Sequence, residues 1–149
     1  MKGGGIMCHS FLGEYQYNMD SKGRLIMPAD FREAFQDEFV ITKGYDPCIF
    51  VFTSKAWQKF ESNLNQLSMY DRDARNLLRF FFGGAARCFL DRQGRIKIPT
   101  HLLTYAKITK EAKITGISDR LEIWNPTALD EINNVDAAKL ATQLTAEMH

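Results

Sequence analysis

Asp20-Ser21-Lys22-Gly23-Arg24-Leu25-Ile26-Met27-Pro28 and Asp91-Arg92-Gln93-Gly94-Arg95-Ile96-Lys97-Ile98-Pro99 are two copies of one pattern, Asp-x-x-Gly-Arg-ϕ-x-ϕ-Pro, with ϕ apolar. Asp91 stands 71 residues after Asp20, nearly half of the 149-residue chain. A long, fixed period means one small supersecondary unit used twice. The match extends outward from the motif. Residues 11–19 align with 82–90 at the same offset, and Phe31 aligns with Leu102. Residues 40–42 align with 113–115, and Asp46 with Asp119, at an offset of 73; Ala56-Trp57 aligns with Ala128-Leu129 at 72. Offsets that hold within elements and drift by a residue or two between them are the trace of a duplication.

The local reading follows the same order in both halves. Residues 14–19 alternate polar and apolar, as a half-buried strand does. Residues 24–27 are its expected hairpin partner, with 20–23 as the tip. Pro28 suits the first turn of a helix, to which Phe31, Ala34 and Phe35 give an apolar stripe. Residues 39–42 and 49–52 read as strands around a turn at 44–47. From Ser54 a longer helix sets Trp57, Phe60, Leu64 and Leu67 on one face. A bridging helix carries Ala74, Leu77, Leu78, Phe81 and Phe82 at helical spacing, and Gly83-Gly84 stops it. In the second half, strands 86–90 and 95–98 are expected to pair across the motif. Pro99 opens a helix ending near Ala106, and strands follow at 112–116 and 121–124. Asn125-Pro126 is a cap and first-turn pair for a further helix. In the tail, Ala137, Leu140, Ala141, Leu144 and Met148 recur at helical spacing. That stripe reads either as docked on another helix or as a frayed amphipathic end.

The expected fold is α+β: two tandem β-hairpin/short-helix/β-hairpin repeats forming one pseudo-two-fold unit, with flanking and bridging helices. Its parts are a flexible extension (1–10), repeat 1 with its C-terminal helix (11–67), the bridging helix (68–82), repeat 2 (83–134) and an amphipathic tail (135–149).

A unit of 50–60 residues buries only about 60% of its unfolded surface and is marginal alone. The halves should therefore share a core, or the chain should assemble with copies of itself. An apolar content of 45%, with eleven Phe, is ample for either. The net charge is only +1, but residues 119–149 sum to −4 and residues 1–118 to +5; between Arg87 and Lys97 the local sum is +3. That permits a basic patch on a chain that is not a polycation. Three cysteines, Cys8, Cys48 and Cys88, are an odd set without a Cys-x-x-Cys pair, which suits a reducing compartment. The start lacks a signal-peptide core. The densest apolar run, 80–86, is far below the ~20 residues that span a bilayer. The sequence predicts a soluble intracellular protein.

The motif's residue types have a physical logic. Asp accepts a backbone N–H two residues on, Gly reaches the positive φ of a tight reversal, and Arg leaves the tip as a planar, always-charged fork. That fork matches paired acceptors on a phosphate or on the O6/N7 edge of guanine. A neighbouring Asp holds it in one rotamer. Two such tips about a pseudo-two-fold axis resemble the β-ribbons that enter a DNA major groove. Taken singly, the pattern is most often an ordinary turn with a surface ion pair worth about 0–1 kcal/mol; it is the second copy in matching context that raises the binding reading to parity.

These motifs, with Phe82-Gly83-Gly84-Ala85 and Leu121-Glu122-Ile123-Trp124, resemble the MraZ family over residues 11–135. Its two repeats belong to the AbrB-like, swapped-hairpin (double-split β-α-β) class. The resemblance implies a bacterial transcriptional regulator, a repressor, that binds repeated promoter elements of the division and cell-wall gene cluster, including its own gene. It also implies a ring-shaped homo-oligomer in the cytoplasm, associated with the nucleoid. By matching position, Asp20 and Arg24, and Asp91 and Arg95, take the family's motif places. Lys22 and Arg92 join them from their location in the tips. Residues 1–10 extend ahead of the family's usual start and are given no role. The tips differ, Ser21-Lys22 against Arg92-Gln93, which argues against strictly symmetric base contacts.

A protomer of net charge +1 releases few counterions, so its affinity for double-stranded DNA should be modest and salt-sensitive. Several tips on one ring would raise it through effective concentration. Other chemistry is poorly supported. No glycine run is followed by the Lys-Ser/Thr of a P-loop. Cys8-His9 is not at a zinc spacing, and no nucleophile-elbow pattern occurs. Carboxylates beside Arg have lowered pKa values that suit positioning rather than proton transfer. No enzyme activity, cofactor, metal or membrane partner is expected. The alternative from another class is a protein-binding module of the antitoxin type on the same fold.

Overall fold

Gly23 and Gly94 both adopt φ +76°, the region glycine reaches without strain. Around each, the chain reverses through the same two backbone bonds. Asp20 N–H donates to Arg24 O (3.0 Å) and Gly23 N–H to Asp20 O (3.2 Å). Asp91 N–H donates to Arg95 O (3.0 Å) and Gly94 N–H to Asp91 O (2.9 Å). The structure, a computed structural model describing residues 9–147, thus turns where the motif predicts a turn.

Beyond the turns the expected pairing fails, and the failure is informative. Strand β1 (Glu14–Asn18) does not run beside β2 (Arg24–Ile26). It pairs antiparallel with β7 (Glu111–Ile117) of the second repeat, Tyr15 opposite Ile114. Strand β5 (Ala86–Cys88) likewise leaves β6 (Arg95–Lys97) and pairs with β3 (Phe39–Lys43) of the first repeat. The two freed strands, β2 and β6, pair with each other. Met27 N–H to Gly94 O (2.8 Å) and Ile98 N–H to Gly23 O (2.9 Å) stitch the crossing. Each hairpin expected across a motif is therefore split, and its strands are exchanged between repeats. The physical reason is size: a two-stranded ribbon is at best marginal by itself in water, and exchange lets both halves bury their apolar residues together.

The hairpins β3/β4 (Ile49–Thr53) and β7/β8 (Arg120–Trp124) do form locally. Among the described residues, the strands make a six-stranded antiparallel sheet, β1-β7-β8-β4-β3-β5, and the separate β2–β6 ribbon. Equivalent residues meet at two points, Leu25 opposite Ile96 in the ribbon and Phe50 opposite Glu122 between β4 and β8. Those crossings mark the pseudo-two-fold axis.

The sheet is covered on both faces, which is why β3 and β4 read as unbroken apolar runs. On one face lie the ribbon, a 3₁₀ helix (Ala29–Phe35) and a short helix (Thr100–Ala106). Leu25, Met27, Phe35, Ile96, Ile98 and Leu102 pack there against Ile41, Val51, Ile114 and Ile123. On the other face α1 (Ser54–Leu64), α2 (Arg72–Gly83) and, after the Thr100–Ala106 helix (α3), α4 (Pro126–Asn133) enclose Phe50, Phe52, Trp57, Phe81, Trp124 and Leu129. Thr42, the buried polar residue among those described, donates from Oγ1 to Phe81 O at 2.6 Å.

Several elements differ in detail from expectation. The helix after Pro28 is 3₁₀, with Phe31 N–H donating to Pro28 O (2.9 Å), and Pro28 and Pro99 stand at the cap rather than in the first turn. Helix α1 ends at Leu64, leaving Leu67 outside it and 38% exposed. Asn125 caps α4 as expected, its Oδ1 accepting from Thr127 N (2.9 Å) and Ala128 N (3.2 Å). The tail forms α5 (Ala137–Glu147), but none of its residues is buried. Among the described residues nothing buries its apolar stripe, and Met148 lies outside the described residues. So do residues 1–8 of the extension and Cys8 of the Cys8-His9 pair. His9 stacks on Phe11 with ring centroids 5.9 Å apart.

Candidate nucleic-acid interface

Each tip is built from one carboxylate. Asp20 Oδ1 accepts from the backbone N–H of Lys22 (2.9 Å) and of Arg24 (2.8 Å), while Oδ2 accepts from Arg24 Nε (2.6 Å). Asp91 does the same with Gln93 N (2.9 Å), Arg95 N (2.9 Å) and Arg95 Nε (2.8 Å). The spacing of the motif produces this geometry: the carboxylate reaches two and four residues ahead only because the Gly between them turns the chain back.

Hydrogen bonds to the ionised form lower a carboxyl pKa. The Arg24 backbone N–H is the largest such cause at Asp20. The Arg24 side chain and the Lys22 N–H add to it against the opposing effect of desolvation, and hold the carboxyl at about 2. Asp91 is lowered through the equivalent bonds, led by the Arg95 backbone N–H. Both groups are ionised at neutral pH and occupied, so they orient rather than exchange protons.

Because each Nε is used, the terminal nitrogens carry the outward fork. Arg24 and Arg95 are 29% and 26% exposed at the side chain. Among the described residues Arg24 Nη1 and Nη2 have no partner, and Arg95 Nη1 lies 3.7 Å from Asp20 Oδ2. The ribbon's alternation sends Leu25 and Ile96, both 0% exposed, into the core and leaves Arg24, Ile26, Arg95 and Lys97 on its outer face. Arg24 stands opposite Lys97, and Ile26 opposite Arg95. Lys22 and Arg92 are exposed at their tips. All six residues singled out from the sequence thus lie on the two turns or at the strand starts they feed, brought together by the ribbon.

Sequence reasoning missed two cations beside them. Arg32, on the 3₁₀ helix, donates from Nε to Met27 O (3.0 Å) and lies over Gly94, its Nε 2.7 Å from where a Cβ would stand. Lys97 Nζ donates to the backbone oxygen of Lys22. The signal was available by comparing the repeats, since Arg32 aligns with Leu103 and Lys97 with Ile26, a charge in one copy where the other is apolar.

Elsewhere the chemistry is quiet. Burial raises the Cys88 thiol to about 11 and pushes Cys48 further up, so neither is a thiolate at neutral pH. Among the described residues no group of three or more His, Cys, Asp or Glu is placed to hold a metal ion. No helix among them is long and apolar enough to cross a membrane. Trp57 and Trp124 are core residues.

A sheet completed by strand exchange between two repeats, with a carboxylate-locked Arg on each of two adjoining turns, defines a tandem swapped-hairpin protein of the AbrB-like class. A family model described as "MraZ protein, putative antitoxin-like" matches the chain twice, over residues 10–80 and 81–148. A protein of Desulforamulus reducens named transcriptional regulator MraZ is 49% identical over 123 residues, covering 83% of this chain and 87% of its own. One of the same name from Halothermothrix orenii is 49% identical over 115 residues, 77% of this chain and 80% of its own. A third, from Alkaliphilus oremlandii, is 46% identical over 126 residues, 85% and 88%. The chain belongs to the MraZ family.

Proposed function

We propose that this chain is a sequence-specific DNA-binding transcriptional regulator, a repressor acting on repeated promoter elements of the bacterial division and cell-wall gene cluster, its own gene included. It acts as a ring-shaped homo-oligomer, in the cytoplasm and on the nucleoid, and performs no catalysis. The observation that carries this reading is the pair of Asp-locked Arg forks, Asp20–Arg24 and Asp91–Arg95, set on adjoining turns of one ribbon.

The major groove, about 12 Å wide, admits a two-stranded ribbon. Arg24 and Arg95 would present their terminal nitrogens to guanine edges, while Lys22 and Arg92 would meet phosphates and set the register. Because Asp20 and Asp91 fix the forks beforehand, little side-chain entropy is lost on contact. One protomer neutralises few phosphates, so tight binding needs several protomers on tandem sites. The exposed stripe of α5, with Leu140 and Leu144 at 43% and 58% exposure, supports self-association.

A second reading, a protein-binding module of antitoxin type, is favoured by that same undocked helix, which would serve as the partner-binding tail. A DNA-cellulose column run in a salt gradient separates the two. Retention with elution at moderate salt is expected of the regulator; passage without retention would leave a partner-binding or purely structural ring.

A further inference from the structure

We infer that Arg32 and Lys97 are further DNA-contacting residues, each placing a third cation at the tip that belongs to the opposite repeat. The inference rests on the DNA-binding reading above and extends it to residues outside the motif.

The placement is reciprocal. Arg32 belongs to repeat 1 but lies over Gly94, at the tip of repeat 2. Lys97 belongs to repeat 2, but its ammonium sits on the Lys22 carbonyl, at the tip of repeat 1. Strand exchange is what carries each across. One tip therefore collects Lys22, Arg24 and Lys97, and the other collects Arg92, Arg95 and Arg32. At the two positions related to these by the internal symmetry stand Leu103, packed beside Gly23, and Ile26, opposite Arg95. The repeats have thus diverged in where the extra charge sits while keeping the same number per tip.

The two cations are chemically different. Arg32 is half-buried and its Nε is held by Met27 O, so its orientation is set. Its terminal nitrogens have no partner among the described residues. That is a pre-oriented fork for the two oxygens of one phosphate. Lys97 is exposed, and its ammonium has three donors of which the Lys22 carbonyl takes one, leaving two for a phosphate as a point charge. Neither is bonded to the Asp–Arg lock; each meets the tip at its backbone, Lys97 at the Lys22 carbonyl and Arg32 over Gly94.

The internal repeat supplies the substitutions for the test, since each replacement is the residue the fold already accepts at the related position. Arg32→Leu, Lys97→Ile and the reverse change Ile26→Lys would be compared with the wild type by fluorescence anisotropy. The probe is a duplex from the region upstream of the chain's own gene, across a salt series, with melting curves to confirm folding. Each lost phosphate contact lowers the steepness of log K against log salt by about 0.9 per engaged protomer, which is roughly tenfold in affinity at 0.1 M salt. Arg32→Leu and Lys97→Ile should each show that loss, and Ile26→Lys a steeper dependence. Wild-type slopes in folded Arg32→Leu and Lys97→Ile, with binding still abolished by Arg24→Ala, would overturn the inference and leave the DNA-binding reading standing. A wild-type protein that ignores the duplex at every salt concentration would overturn both.

Discussion

Arg95 Nη1 lies 3.7 Å from Asp20 Oδ2, so a guanidinium of the second repeat reaches the carboxylate of the first across the pseudo-two-fold axis. Asp20 thereby faces both forks, Arg24 and Arg95, whereas Asp91 faces Arg95 alone. The tips are a coupled pair with an uneven division of labour.

That asymmetry predicts unequal mutants. Asp20→Asn should weaken DNA binding more than Asp91→Asn, because it loosens two forks rather than one. Anisotropy titrations of the two variants on the same duplex measure the difference. The extra contact is a solvent-facing ion pair rather than a hydrogen bond, so the expected gap is roughly a few-fold in affinity. Equal losses would show that the 3.7 Å approach has no energetic weight.

The depressed carboxyl of Asp20 predicts a pH window. Its folded value, about 2, lies below the roughly 3.9 of an unfolded Asp, so its bonds contribute stability that is complete above pH ~4. That contribution is lost as the pH falls through about 2. The carbon-13 shift of the Asp20 carboxyl should titrate near 2. The Asp20→Asn protein should show a shallower fall in melting temperature between pH 4 and 2 than the wild type. A carboxyl titrating near 3.9 would mean that the tip is open in solution.

Strand exchange predicts that neither half stands alone. A fragment of residues 1–80 lacks β5, β6 and β7, the partners of β3, β2 and β1, and should be unfolded by circular dichroism. Mixing it with residues 81–149 should restore β structure. In the intact chain Leu25→Ala removes a fully buried side chain on the axis and should cost about 2–5 kcal/mol in a single cooperative transition. A fragment that folds alone would contradict the exchange.

The sequence and the structure part company at instructive places. The turns were legible because Asp, Gly and Arg act within five residues of one another, a range the local chemistry determines. The buried faces were legible because Leu25, Ile96, Phe35 and Trp124 follow the periods of strand and helix. The strand partners were not. The alternation in 14–19 says that one face is buried but not which strand lies alongside, and a split hairpin has the same local sequence as a closed one. The 3₁₀ form of Ala29–Phe35 was hidden because a short apolar stripe does not separate it from an α-helix. Arg32 and Lys97 escaped because their meaning lies in what stands across the exchange, Gly94 and Lys22, and not in their neighbours along the chain.

The most direct test of the account is the Arg24→Ala, Arg95→Ala double variant, run by size exclusion and by titration of a promoter duplex in parallel. Each fork that reads a base pair is worth about 1–3 kcal/mol of discrimination, so with both removed specific binding should fall at least about thirtyfold while the elution volume stays that of the wild type. Undiminished binding by the double variant, at an unchanged assembly size, would contradict it.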